Sequence, residues 1–131
     1  MRDAFAEHPV KTRVRVIHAA DGNHHIDAGL KDLATELGSV FRYTSYSLIQ
    51  SKTMTLGYHQ KGQVSLPGGR LLIVSPTSMD QQRIEYQINI LKGKKRVFQT
   101  RIRLKNHGSI TIGGPEYKNG YLLFNISGQS R

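Results

Sequence analysis

Two runs of alternating apolar and polar residues, joined by a short basic turn, give this chain little choice but a β-hairpin. Ile84, Tyr86, Ile88 and Ile90 alternate with Glu85, Gln87 and Asn89. After Lys92-Gly-Lys-Lys95, the residues Phe98, Thr100, Ile102 and Leu104 alternate with Gln99, Arg101 and Arg103. Successive side chains of a strand point to opposite faces, so each run has one apolar and one polar side. On a helix the same residues would be spread around the whole circumference. The glycine-containing link completes the hairpin signal, and the apolar sides should share one core.

The rest of the chain repeats this theme in shorter pieces. Arg13 to Ala20 alternates, with Val14, Val16 and His18 on one face and Arg13, Arg15 and Ile17 on the other. Val40 to Gln50, Thr53 to Tyr58, Gln63 to Leu66, Leu71 to Pro76, Ser109 to Gly113 and Tyr121 to Ser127 also read as strands. Leu66-Pro-Gly-Gly69, Lys105-Asn-His-Gly108, Gly113-Gly-Pro115 and Tyr117-Lys-Asn-Gly120 read as turns. In Tyr43 and Tyr46 the odd spacing predicts opposite sheet faces.

One segment has a different period. Ile26, Leu30, Leu33 and Leu37 fall on one face of a helix over Asp27–Leu37, with Ala34 beside them. Asp27 is placed to be its N-cap and Gly38 to take the left-handed position after its end. The expected fold is therefore mainly β: an antiparallel sandwich or partly closed barrel of about eight strands, with one helix in the N-terminal region. Residues 1–12 are polar and interrupted by Pro9, and read as a mobile arm. Residues 13–131 read as a single β-rich domain, a size suited to one core. No stretch approaches the ~20 apolar residues of a membrane-crossing helix. The first nine residues also lack the apolar centre of a signal peptide.

Charge narrows the function classes. The chain has 19 Lys and Arg against 9 Asp and Glu, a formal net charge of +10. Seven of those cations, Lys92, Lys94, Lys95, Arg96, Arg101, Arg103 and Lys105, lie within one hairpin with no acid between Lys92 and Lys105. Arg101 and Arg103 should project from its outer face, with the lysines at its tip and Arg13 and Arg15 extending the ridge. Such a ridge suits an acidic protein surface or a polyanion. Cationic edge strands also serve to block sheet-to-sheet association. Nucleic acid ranks below a protein partner, because single-strand binders place exposed aromatics among their cations. Here Phe98 and Tyr86 both fit the apolar face.

Catalytic patterns are missing. There is no Cys, no GxSxG, no glycine loop opening a helix and no HExxH spacing. No cofactor is expected. His24 and His25, in a loop between Asp21 and Asp27, form a weak candidate metal site and the basis of a third reading, a metal-dependent enzyme.

The segments Ser39-Val-Phe-Arg-Tyr-Thr-Ser-Tyr-Ser-Leu-Ile49, Ser65-Leu-Pro-Gly-Gly69, Val97-Phe-Gln-Thr100, Ile112-Gly-Gly-Pro115 and Tyr121-Leu-Leu-Phe124 resemble a group of small, usually exported bacterial β-domains. The final strands of some of these resemble segments of secretin-type secretion proteins. The resemblance implies a periplasmic or other extracytoplasmic setting, against a cytoplasmic alternative, and a role in assembly. It implies no channel, since the long amphipathic strands of a pore are missing, and it transfers no functional residue. Residues and resemblance together suggest a non-catalytic accessory subunit that docks on a larger, acidic bacterial complex through the basic hairpin. Self-association through sheet edges is compatible with that role. The alternative is a module that binds nucleic acid or an anionic polysaccharide.

Overall fold

The computed structural model describes residues 9–130. Among them the strands are β1 Val10–Ala20, β2 His25–Ile26, β3 Ser45–Leu56, β4 Gly62–Leu66, β5 Arg70–Asp80, β6 Arg83–Lys92, β7 Lys95–Lys105, β8 Ser109–Tyr117 and β9 Gly120–Gln129. A 3-10 segment, Ala28–Leu33, leads directly into helix α1, Ala34–Val40. The sheet orders are β2-β3-β1-β9-β8 and β4-β5-β6-β7. The chain is mainly β, and no barrel closes. No helix among the described residues is long and apolar enough to cross a membrane.

The chain divides into two compact units. Of the described residues, the first holds 9–14, Lys52–Ile110 and 126–130; the second holds Arg15–Ser51 and Thr111–Asn125.

In the first unit, β4 to β7 form an antiparallel meander whose inward rows follow from the alternation. Val64, Leu72, Ile90 and Phe98 form one row; Gly62, Val74, Ile88 and Thr100 form the next. Pro76, Tyr86 and Ile102 form a third row. Burying each large apolar side chain here contributes about 1.5–3 kcal/mol. The other sheet meets this face within the same unit. The Tyr86 hydroxyl lies 2.8 Å from Thr12 Oγ1, and Gly128 sits against Tyr86 and Ile84 where a Cβ would collide with the Tyr86 hydroxyl. Pro76 interrupts β5 where the register slips between Pro76 and Ser78, leaving Thr77 as an extra residue. A bulge is where a strand tolerates a proline.

The second unit has its own apolar cluster of Ile17, Ala19, Leu30, Leu33, Leu37, Tyr46 and Leu123. At its margin Arg15 is buried at 4 % exposure. Its guanidinium donates two bonds to the Asp32 carboxylate at 2.8 and 2.9 Å and others to Asn125 Oδ1 and the Gly29 carbonyl. Such bidentate pairing is how a buried arginine is tolerated.

Several expectations are corrected. β1 begins at Val10, with Val10 and Thr12 fully buried, so the last residues of the expected arm belong to the sheet. Residues 1–8 of that arm lie outside the described part. The helix starts as a 3-10 segment and runs to Val40, with Gly38 inside it and Ala34 exposed. Asp27 stands in the N-cap position but makes no side-chain cap bond. Its carboxylate instead accepts the Leu48 N–H at 2.7 Å and pairs with His25. β3 is continuous from Ser45 to Leu56, in place of two expected strands, and Tyr43 precedes it. The Tyr46 hydroxyl accepts the Tyr43 N–H at 2.9 Å, so these tyrosines are neighbours and do not stand on opposite faces. β8 runs through Gly113-Gly-Pro115, in place of the expected stop. As an edge strand it can carry a proline, and Gly114 leaves room for the Phe124 ring.

Candidate partner-binding ridge

The ridge is built by β6 and β7. Their register pairs Gln87 with Arg101, Glu85 with Arg103 and Arg83 with Lys105, all on the outward face. A two-residue turn, Gly93-Lys94, joins the strands, and Gly93 supplies the positive φ of 63° that the first turn position requires. Near the turn the register slips: Ile90 faces Phe98 and Leu91 faces Arg96, so Val97 is an extra residue on β7. Plain alternation would place Arg96 on the apolar side with Phe98. The bulge moves it into the outward row with Arg101, Arg103 and Lys105.

Lys92, Lys94, Lys95, Arg96, Arg101, Arg103 and Lys105 are all exposed. Only Arg103 has an acidic partner in the described residues. Its Nε lies 3.2 Å from Glu85 Oε2. The Arg103 guanidinium, followed by a bond from Thr77, holds the Glu85 carboxyl below its ordinary range, against a smaller desolvation effect. Asp80 and Arg83 line the same shallow crevice as this pair. Acids therefore neutralise part of the ridge at its Arg103 end. Charge without an ion pair among the described residues is concentrated toward the tip, at Lys92, Lys94, Lys95 and Arg96, while Arg101 makes no ion pair but is attracted to the Glu85 carboxylate.

Two sequence expectations about the ridge fail. Arg15 does not extend it, being buried against Asp32 in the second unit. Phe98 is not hidden. It lies in the inward row, but at 40 % exposure, with Val97 at 48 % beside it. The end of the inward face near the turn also carries Arg70, Lys92 and Lys95, which share one cross-strand row. Cations and apolar side chains thus share the tip. Alternation alone could not reveal this, because exposure depends on how far the opposing layer extends.

The weak metal candidate resolves into a local pair. His25 Nε2 lies 2.6 Å from Asp27 Oδ1, while His24 is exposed. The His25 bond, then the Leu48 N–H, hold the Asp27 carboxyl below its ordinary range. Among the described residues no group of three His, Asp or Glu side chains is placed to hold a metal ion. Comparison with protein families, with characterised proteins and with solved structures gives no match.

Proposed function

We propose that this chain is a non-catalytic accessory subunit that docks on an acidic face of a larger protein assembly through the tip and outward row of the β6–β7 hairpin. The observation that carries this reading is the set of exposed cations, Lys92, Lys94, Lys95, Arg96 and Arg101, that form no ion pair within the described chain. Desolvating a cation against a carboxylate of a partner returns charge–charge attraction that isolated surface lysines lack. β7 is also the last strand of its sheet, so its outer peptide groups are placed to pair with an extended acidic segment. The resemblance to exported bacterial domains supports an extracytoplasmic assembly as the setting.

A second reading is binding of a polyanion, nucleic acid or anionic polysaccharide. It is favoured by Phe98 and Val97, which stand exposed among the tip cations. An aromatic ring beside lysines and arginines is a stacking surface for a base or a sugar.

The double variant Arg96→Glu with Arg101→Glu leaves the Glu85–Arg103 pair in place. It is expected to keep its circular dichroism spectrum and to lose the acidic proteins that wild type captures from an extract of its source. Capture of the same proteins at the same level by both would refute the docking reading. Capture of nucleic acid or polysaccharide, with binding that weakens steeply as salt rises, would select the second reading.

A further inference from the structure

A cavity of about 370 Å³ lies in the first unit, away from the hairpin tip. Lys11 and Arg13 of β1, Thr53 of β3, Ser127 and Gln129 of β9, and His107 of the β7–β8 turn line it. Lys11 and Arg13 are two residues apart and share a strand face, as do Ser127 and Gln129. β1 lies between β3 and β9 in the sheet, so these side chains rise from three adjacent strands. The turn forms the wall. It is pinned to β9 by the His107 N–H on the Gly128 carbonyl at 2.9 Å and the Gly128 N–H on the Gly108 carbonyl at 3.3 Å. His107 holds a φ of 71°, a left-handed conformation that histidine tolerates better than most residues.

Among the described residues no carboxylate lines this cavity, and Lys11, Arg13 and His107 make no ion pair. The cationic groups and hydroxyls stand side by side on one face of three neighbouring strands, with the turn beside them. A carboxylate offers two coplanar oxygens and would be satisfied by one guanidinium fork. A phosphate monoester offers three terminal oxygens in a tetrahedral arrangement, which suits donors arriving from β1, β3 and the turn together. The volume lies within the ~300–1,000 Å³ of small-molecule sites. A lining of hydroxyls, an amide and cations suits a hydroxyl-rich body better than an apolar one.

We infer that this cavity binds a phosphorylated polyol, with Lys11 and Arg13 holding the phosphate and Thr53, Ser127 and Gln129 facing the hydroxyls. The same chemistry is offered by a free sugar phosphate and by a phosphoinositide headgroup. Isothermal titration with glucose 6-phosphate, glucose and inorganic phosphate, and flotation with phosphatidylcholine vesicles with or without phosphatidylinositol 4-phosphate, separate these sources. Saturable one-to-one binding of glucose 6-phosphate, weakened at least tenfold in Lys11→Gln with Arg13→Gln, supports the soluble ligand. Flotation only with phosphoinositide, lost in the same variant, supports the headgroup. The single variant Lys11→Gln should show a partial loss, and thermal unfolding confirms that each variant is folded. The hairpin variant Arg96→Glu with Arg101→Glu should bind as wild type does, which keeps this site separate from the docking ridge. The inference is overturned if neither phosphorylated ligand binds, if inorganic phosphate binds as well as glucose 6-phosphate, or if the Lys11 and Arg13 substitutions leave binding unchanged.

Discussion

Tyr86 carries its hydroxyl into the core of the first unit, where Thr12 is its hydrogen-bond partner. Burial, opposed in part by the Thr12 bond, pushes its pKa up from 10.0 to about 12. A tyrosine whose folded pKa is raised contributes stability that is complete below its unfolded pKa and declines as pH rises toward the folded value. That rise corresponds to roughly 2–3 kcal/mol lost across the alkaline window. Urea unfolding of wild type and Tyr86→Phe at a series of pH values should show a steeper alkaline loss in wild type; parallel curves would contradict this account. Asp27 and Glu85 have the opposite sign. Their lowered pKa values stabilise the fold above the ordinary carboxylate range, and that contribution disappears as acid protonates them. Arg15 gives a second prediction at this scale. Asp32→Ala leaves a buried guanidinium with only the Asn125 and Gly29 oxygens, and should cost about 1.5–3 kcal/mol in chemical denaturation. A change below a few tenths of a kcal/mol would mean that solvent replaces Asp32 without cost. This pair is invisible to local pattern: Arg15 alternates like a surface residue, and its acid comes from the helical segment.

The hairpin elements were the most legible part of the chain. Ile84 to Leu104 form the expected pair of strands because alternation acts locally, residue by residue, on a pleated backbone. What alternation could not supply is where it breaks. The extra residue at Val97 turns Arg96 outward, and the extra residue at Thr77 lets β5 continue past Pro76. Both follow from twist and cross-strand register, which no single strand encodes. The helix follows the spacing of its leucines, but its first half is 3-10, and Asp27, bonded to the Leu48 N–H and His25, makes no side-chain cap. Deleting Val97 should close the bulge and leave Arg96 outward, opposite Leu91 and next to the inward Phe98. The deletion variant is expected to stay folded and to bind its partner as wild type does, while Arg96→Ala binds more weakly; binding by the deletion variant as weak as that of Arg96→Ala would contradict the place given to Arg96.

For the whole molecule, the net charge of +10 directs the docking proposal to an anionic partner without fixing where that partner would sit. The cations fall into separate groups with different environments: those of the hairpin tip, Arg103 against Glu85, Arg15 against Asp32, and Lys11 with Arg13 beside a cavity. Sequence reasoning found the hairpin group because its members are close together in the chain. It missed the cavity because β1, β3, β9 and the β7–β8 turn are far apart in the chain. A chain that bound acidic surfaces by net charge alone would respond equally to losing cations anywhere. The decisive measurement is therefore the affinity of the captured partner for two variants of equal charge, Arg96→Glu with Arg101→Glu and Lys11→Glu with Arg13→Glu, in moderate salt. Docking through the hairpin predicts loss of binding in the first and near-wild-type binding in the second; equal loss in both would contradict it.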